Sequence, residues 1–78
     1  MSWKKIRENN TIIVWENDSV LVTDKGGIGL LLSVQYEKED MLWYTILQTS
    51  KEKELYGDDF STKTKAINKA KFLMRQYK

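Results

Sequence analysis

The stretch that decides the fold is residues 28–36, with the sequence IGLLLSVQY. Apolar side chains recur there at every second position, which is the period of a β-strand with one buried face. The side chains that share this face are Ile28, Leu30, Leu32, Val34 and Tyr36. We therefore expect a strand over 28–36 whose apolar face is covered by another layer of the fold.

Further strands are predicted on both sides of this stretch, because β-branched and aromatic residues cluster between polar segments. The predicted strands are residues 11–16, 19–24, 41–49 and, as a short charged edge strand, 53–56. The segments read as turns are 16–18, 25–27 and 37–40, and residues 57–60 are read as the crossover to the last element. Together they predict an antiparallel, meander-like sheet of four to five strands.

A helix is predicted over residues 62–77, beginning at Ser61 or Thr62, either of which is a suitable N-cap. Its apolar stripe is about 120° wide at about 100° per residue. The stripe consists of Ala66, Ile67, Ala70, Leu73, Met74 and Tyr77. This stripe must lie on the sheet, so the sequence predicts an α+β fold with one C-terminal helix packed on one face, and 1–78 as a single compact domain.

Composition argues against catalysis. The chain has no His and no Cys, so it lacks the commonest general base, the commonest metal ligand and the most reactive nucleophile. Asp58 and Asp59 are adjacent and could hold a divalent cation, but two acids before a helix more often complement its dipole. The segment 25–29, KGGIG, lacks the ending of a phosphate loop and is read as a hairpin turn. We expect no enzyme activity, cofactor or metal.

Charge is divided unevenly along the chain. Residues 61–78 carry six Lys or Arg and no acid, whereas residues 1–60 carry eleven acids against seven basic residues. The basic positions off the apolar stripe are Lys65, Lys69, Lys71 and Arg75. A charged outer face is normal for a surface helix, and Arg75 suits the negative end of the dipole.

Phe72 is the residue that an ordinary solvated helix does not explain. At about 100° per residue it points some 200° from the middle of the apolar stripe, among the lysines and Arg75. An exposed aromatic ring surrounded by cations is typical of a surface that stacks bases and neutralises phosphates, and also of a protein contact. The first hypothesis is therefore a binding domain for DNA or RNA, although a net charge of +2 is modest for that role.

The sheet suggests a second hypothesis, a protein-interaction or homodimerisation domain. We expect some of Trp15, Trp43, Met41 and Leu47 to point away from the helix, where no layer covers them. An N-terminal arm bearing Trp3 and Ile6, a second copy of the chain, a larger protein or stacked bases could cover that face, and the edge at 51–56 could pair with a partner. Residues 1–10 do not resemble a secretory signal and no apolar run is long enough for a membrane, so we expect a soluble, cytoplasmic protein without a membrane partner.

Overall fold

A computed structural model describes residues 3–22, 27–49 and 53–77, with the side chains of 18–22 and 27–28 left aside. The elements are β1 (Lys4–Glu8), β2 (Ile12–Val22), β3 (Gly27–Glu37), β4 (Leu42–Thr49), β5 (Glu54–Phe60) and α1 (Lys63–Gln76). The strands form one sheet in the order β1-β2-β3-β4-β5, each antiparallel to its neighbours. The predicted α+β fold, an antiparallel meander with one C-terminal helix on the sheet, is confirmed.

The helix lies across one side of the sheet, which we call the covered face. The core between the two layers consists of Leu30, Leu32, Val34 and Leu47 from the sheet and Ala66, Ala70 and Leu73 from α1. Among them Leu32, Val34 and Leu47 are 0% exposed. A buried hydrogen bond joins the layers, since the Thr45 hydroxyl donates to the carbonyl oxygen of Ala66 at 2.9 Å. Residues 30, 32 and 34 thus face the helix as the alternation predicts.

The N-terminal segment forms an edge strand that the sequence analysis did not predict. β1 pairs with β2 through a tight turn at Asn9. The Oδ1 atom of Asn9 accepts from the backbone amides of Thr11 at 2.9 Å and Ile12 at 3.1 Å. An asparagine that bonds its own backbone in this way stabilises a turn, so Asn9 closes the β1–β2 hairpin.

The prediction of two strands at 11–16 and 19–24 with a turn at 16–18 is wrong, because β2 is one strand through this region. Asn17 is 0% exposed, and its Nδ2 atom donates to the carbonyl oxygen of Tyr77 at 3.1 Å. A polar residue stays inside the strand because its amide is satisfied by the end of the helix. The pairing is irregular between Asn17 and Leu21, where Gly29 on β3 has a φ of 87°. The end of the predicted strand and most of the predicted turn at 25–27 fall on residues 23–26, outside the described residues.

Residues 57–60 are also part of a strand, so their prediction as a crossover is wrong. They pair with β4 from Ile46 to Trp43 at the edge of the sheet, where charged residues are tolerated. The chain passes from β5 to α1 through residues 61–62 alone. Thr62 is the N-cap, and its Oγ1 atom accepts from the backbone amide of Lys65 at 3.2 Å. Of the two predicted N-cap residues, Ser61 and Thr62, the structure confirms Thr62.

Candidate functional site

The five residues predicted for nucleic-acid binding all lie on α1, but they do not form one surface. Positions 65, 69 and 72 fall within about 60° of each other around the helix axis, on one flank. Position 71 lies about 160° from position 69, on the opposite flank, and position 75 lies between the two. Phe72 is 43% exposed, as predicted, and Lys69 is half-buried. The fold therefore brings Lys65, Lys69 and Phe72 together and separates Lys71 from them.

A second aromatic ring joins this flank from the sheet. The Nζ atom of Lys69 lies 4.8 Å from the ring centroid of Phe72 and 4.9 Å from that of Tyr56 on β5. Both distances are within the range of cation–π attraction. We call these three residues the aromatic–lysine cluster. Tyr56 was not predicted as a site residue, and it packs against the core while its ring remains in contact with the ammonium.

One acidic side chain lies beside the cluster. The Tyr56 hydroxyl donates to Oδ2 of Asp58 at 3.4 Å, and Oδ1 of Asp58 accepts from the backbone amide of Asp59 at 2.8 Å. The pKa of Tyr56 is raised chiefly by burial and further by the charge and hydrogen bond of Asp58. Tyr56 is therefore protonated at neutral pH, while the Asp58 carboxylate is engaged by its own strand.

We expected some of Trp15, Trp43, Met41 and Leu47 to point away from the helix, and for the two tryptophans this is wrong. Both lie on the covered face and are partly buried against the core. Trp15 is paired with Leu32, and Trp43 is paired with Tyr36, at a ring distance of 5.0 Å. The Nζ atom of Lys63 lies 5.5 Å from the centroid of Trp43. Neither tryptophan belongs to a free stacking platform opposite the helix.

The other residues expected on the far face are also placed elsewhere. Leu47 is part of the core, and Met41, 72% exposed, closes the β3–β4 turn with a φ of 56°. Trp3 packs on the covered side, where its Nε1 atom donates to the carbonyl oxygen of Tyr77 at 3.0 Å. Ile6 remains 48% exposed on β1. The N-terminal arm thus supports the helix and does not cover the opposite side of the sheet.

The side of the sheet opposite α1 is apolar, and we call it the open face. On β4 the positions alternate: Thr45, Leu47 and Thr49 are buried under the helix, whereas the residues between them are half-buried on the other side. The half-buried apolar residues of the open face are Ile12, Val14, Leu31, Leu42, Tyr44 and Ile46. No described element packs over them, since α1 contacts the sheet through the covered face.

A hollow of about 410 Å³ lies where the open face meets β5. It is lined by Tyr44, Ile46, Glu54, Gly57, Asp58 and Asp59. The Tyr44 hydroxyl donates to Oδ2 of Asp40 at 2.7 Å. This hydrogen bond, with smaller contributions from desolvation and nearby carboxylates, raises the pKa of Tyr44 to about 12. This corner of the open face is acidic and holds Tyr44 in its neutral form.

Asp58 and Asp59, considered as a cation site, point to opposite sides of the sheet. Asp58 is paired with Thr45 of the covered face and Asp59 with Tyr44 of the open face. Adjacent residues of a strand project in opposite directions, so the two carboxylates do not converge on one ion. Within residues 3–22, 27–49 and 53–77, no group of three Asp or Glu side chains could hold a metal ion. In the same part of the chain, no helix is long and apolar enough to cross a membrane.

Comparisons with known proteins give no family for this chain. No protein-family model matches it. No curated protein and no solved structure matches it either. The case for a function therefore rests on two surfaces, the aromatic–lysine cluster on the flank of α1 and the open face of the sheet.

Proposed function

We propose that this chain is a non-enzymatic binding domain that holds single-stranded nucleic acid, DNA or RNA, on the flank of α1 beside β5. The observation that supports the proposal is the aromatic–lysine cluster. Phe72 is 43% exposed, and Lys69 lies 4.8 Å from the centroid of its ring. Stacked bases and neutralised phosphates are the two sources of affinity in sequence-tolerant binding of single strands, and the cluster offers both.

The cluster holds Phe72 ready for stacking. Lys69 contacts Phe72 on the helix and Tyr56 on the sheet, so it restrains a side chain that would otherwise move freely in solvent. A ring that is already ordered loses less entropy when a base stacks on it. The exposed part of the Phe72 ring is then available to a nucleobase, with the ammonium of Lys69 beside the adjoining phosphate.

Neighbouring cations extend the same flank. Lys65 lies on the same flank about one helical turn before Lys69, roughly 6 Å along the axis, and Arg75 lies between this flank and that of Lys71. No acidic residue occurs between positions 61 and 78. A nucleic-acid strand on this flank would meet Lys65 and Lys69 beside Phe72, with Arg75 at the border of the flank. Local charge of this kind, and not the net charge of +2, would provide the electrostatic part of the affinity.

Fluorescence anisotropy with labelled oligothymidine and oligouridine, each about 10 nucleotides long, tests the proposal. We expect saturable binding that weakens with salt, with a slope of about −2 in log affinity against log salt if three cations contact phosphates. Phe72→Ala should lower the affinity roughly 5- to 150-fold through the loss of one stacked base. Lys65→Gln should lower both the affinity and the slope. The two oligonucleotides distinguish a preference for DNA or for RNA.

Lys71→Gln is the matched control, because it removes the same charge from the same helix on the opposite flank. It should leave the affinity close to that of the unmodified chain. Equal losses for Lys65→Gln and Lys71→Gln, or no binding at low salt, would contradict the proposal. If Phe72→Ala lowers the melting temperature but not the affinity, the cluster only ties the helix to β5.

A further inference from the structure

We infer that two copies of this chain form a homodimer by packing their open faces together, which places both α1 helices on the outside. The first argument is the apolar surface itself. Val14, Leu31 and Ile46 are half-buried and lie on three adjacent strands with no described element over them. From strand spacing and rise, the face offers on the order of 1,100 Å² in a face-to-face pair, which is the lower end of a specific interface.

The second argument is the distribution of charge, which follows from the strand register. Directly paired residues form rows across the open face. One row is Lys4, Glu16, Leu31, Gln48 and Glu54, and the next is Arg7, Val14, Ser33, Ile46 and Gly57. A third row is Ile12, Gln35, Tyr44 and Asp59. The β1 edge is therefore basic and the β5 edge is acidic. Between them lie the apolar residues together with Ser33, Gln35, Gln48 and one acid, Glu16, which pairs with Lys4.

Charge selects the symmetry axis of the pair. A two-fold axis perpendicular to the strands, within the interface, would lay β1 over β1 and β5 over β5, and like charges would meet at both edges. A two-fold axis parallel to the strands lays β1 over β5 of the second copy. Lys4 then lies opposite Glu54 of the second copy, and Arg7 lies opposite Gly57 of the second copy, between Glu54 and Asp59, twice per dimer. A two-fold interface must be complementary to itself, and only the second arrangement meets this condition.

The same axis matches the shapes of the two faces. Leu31 meets Leu31 of the second copy at the centre, and Val14 meets Ile46 of the second copy. Arg7 meets the hollow beside Gly57, where an added Cβ would lie 2.6 Å from Oε2 of Glu54. The carboxylate of Glu54 thus occupies the space that a side chain at position 57 would fill. There the guanidinium of Arg7 from the second copy can bind it through two donors.

The normal rotation between aligned sheets does not disturb this pairing of charges. Packed sheets are rotated by about 30°, which moves contacts at the edges by about one to two residues along the strand. On the open face, two basic residues of β1 and two acidic residues of β5 cover that range. The dimer does not depend on the proposed function, because it leaves the aromatic–lysine cluster on the outer surface.

Sedimentation velocity from about 1 to about 100 µM, where most specific dimers assemble, provides the test. The expected particle has twice the chain mass of 9.2 kDa. Lys4→Glu with Arg7→Glu should give a monomer, and so should Glu54→Lys with Asp59→Lys. Mixing the two double variants should restore a dimer, because opposite charges then meet at both edges. The mixture is attractive for either axis, so the axis is identified by each double variant alone: only the axis parallel to the strands turns an attractive wild-type pair into a repulsive one.

Lys38→Glu with Lys71→Glu is the matched control, since it changes the net charge by the same amount outside the open face, and it should remain dimeric. Leu31→Arg, at the axis, should be monomeric with an unchanged circular dichroism spectrum, so the test does not depend on the edge variants alone. A wild-type monomer at all these concentrations, or a mixture that fails to reassociate, would overturn the inference. Oligonucleotide binding by such a monomer would leave the proposed function standing.

Discussion

The covered and open faces of the sheet are built by the same strands and differ in what lies over them. On β3, Leu30 and Leu32 are 1% and 0% exposed, whereas Leu31 between them is half-buried. On β4, Leu47 is fully buried and Ile46 beside it is not. The sequence thus places large aliphatic side chains on both faces but supplies one helix to cover them. Apolar alternation therefore identifies two faces, but only tertiary packing decides which of them is buried.

The two faces should differ most in the free energy of unfolding lost in Leu32→Ala and in Leu31→Ala. Leu32→Ala should destabilise the fold by about 2–5 kcal/mol, because it removes a buried side chain and leaves a cavity. Leu31→Ala should cost about 1 kcal/mol or less in the monomer, since its side chain is already partly hydrated. Urea unfolding at low protein concentration measures both values.

Equal costs for the two leucines at low concentration would contradict the distinction between the faces. At high concentration the cost of Leu31→Ala should rise, since a dimer that buries Leu31 adds its association free energy to the stability of the fold. The cost of Leu32→Ala relative to the unmodified chain should not depend on concentration in this way. The same pair of variants therefore tests both the covered core and the dimer.

A smaller effect concerns how the covering helix is held at its C-terminal end. The carbonyl oxygen of Tyr77 accepts from Nδ2 of Asn17 at 3.1 Å and from Nε1 of Trp3 at 3.0 Å. Asn17→Ala should cost about 1–3 kcal/mol, because it leaves a carbonyl without one of its donors and empties a buried position. In a domain of this size each 1 kcal/mol lowers the melting temperature by about 4–8 °C, which calorimetry resolves.

Gln35→Ala is the comparison for Asn17, since it shortens a half-buried polar residue on the open face. Its effect should stay within about 0.5 kcal/mol. If Asn17→Ala is as mild as Gln35→Ala, the buried amide does not anchor the helix. Trp3→Phe, which keeps the ring and removes the N–H group, would then show whether the second donor is sufficient alone.

The N-terminal end of the helix gives the third contrast. Thr62→Ala should cost about 1 kcal/mol, because the hydroxyl that accepts from the amide of Lys65 is lost. Ser61→Ala, one residue earlier, should have almost no effect, since Thr62 is the cap. Thermal unfolding of the two variants distinguishes them, and a larger loss for Ser61→Ala would contradict the cap assignment.

Much of the covered face could be predicted from the sequence, because it depends on local periodicity. The alternation at 28–36, the helix and its cap, and the exposure of Phe72 all follow from spacing along one element. The continuity of β2 could not be predicted in this way. Asn17 looks like a turn residue, and the partner that keeps it in a strand is the carbonyl of Tyr77, sixty positions away. The β1 hairpin has a local signal in the sequence, since an asparagine such as Asn9 can close a turn by bonding its own backbone.

The placement of the tryptophans and the make-up of the site depend on register and crossing angle. β4 is apolar on both faces, so periodicity alone does not say which face carries Trp43. The turn at 38–41 pairs Glu37 with Leu42, and this register puts Trp43 beside Tyr36 on the covered face. Lys65, Lys69 and Phe72 share a flank by helical spacing, but the contact with Tyr56 depends on how α1 crosses β5.

The smallest expected difference between the faces concerns two tyrosines, one on each face. Their pKa values are raised by different causes. The pKa of Tyr44 on the open face is raised to about 12 mainly by its hydrogen bond to Asp40. The pKa of Tyr56 on the covered face is raised mainly by burial. Because the pKa of Tyr44 in the folded state exceeds its ordinary value of 10.0, the contribution of Tyr44 to stability is complete below about pH 10 and is lost as the pH rises through 12.

Asp40→Asn should separate the two causes. It removes the carboxylate that accepts the hydrogen bond of the Tyr44 hydroxyl and would repel its anion, so the pKa of Tyr44 should fall toward 10.0 while that of Tyr56 stays raised. The ¹³C chemical shifts of the tyrosine Cζ atoms report each ionisation separately. If the pKa of Tyr44 stays raised in Asp40→Asn, the cause is burial of the open face. The titration would then have to be repeated on the monomeric Leu31→Arg, since a dimer interface is the layer that would bury Tyr44.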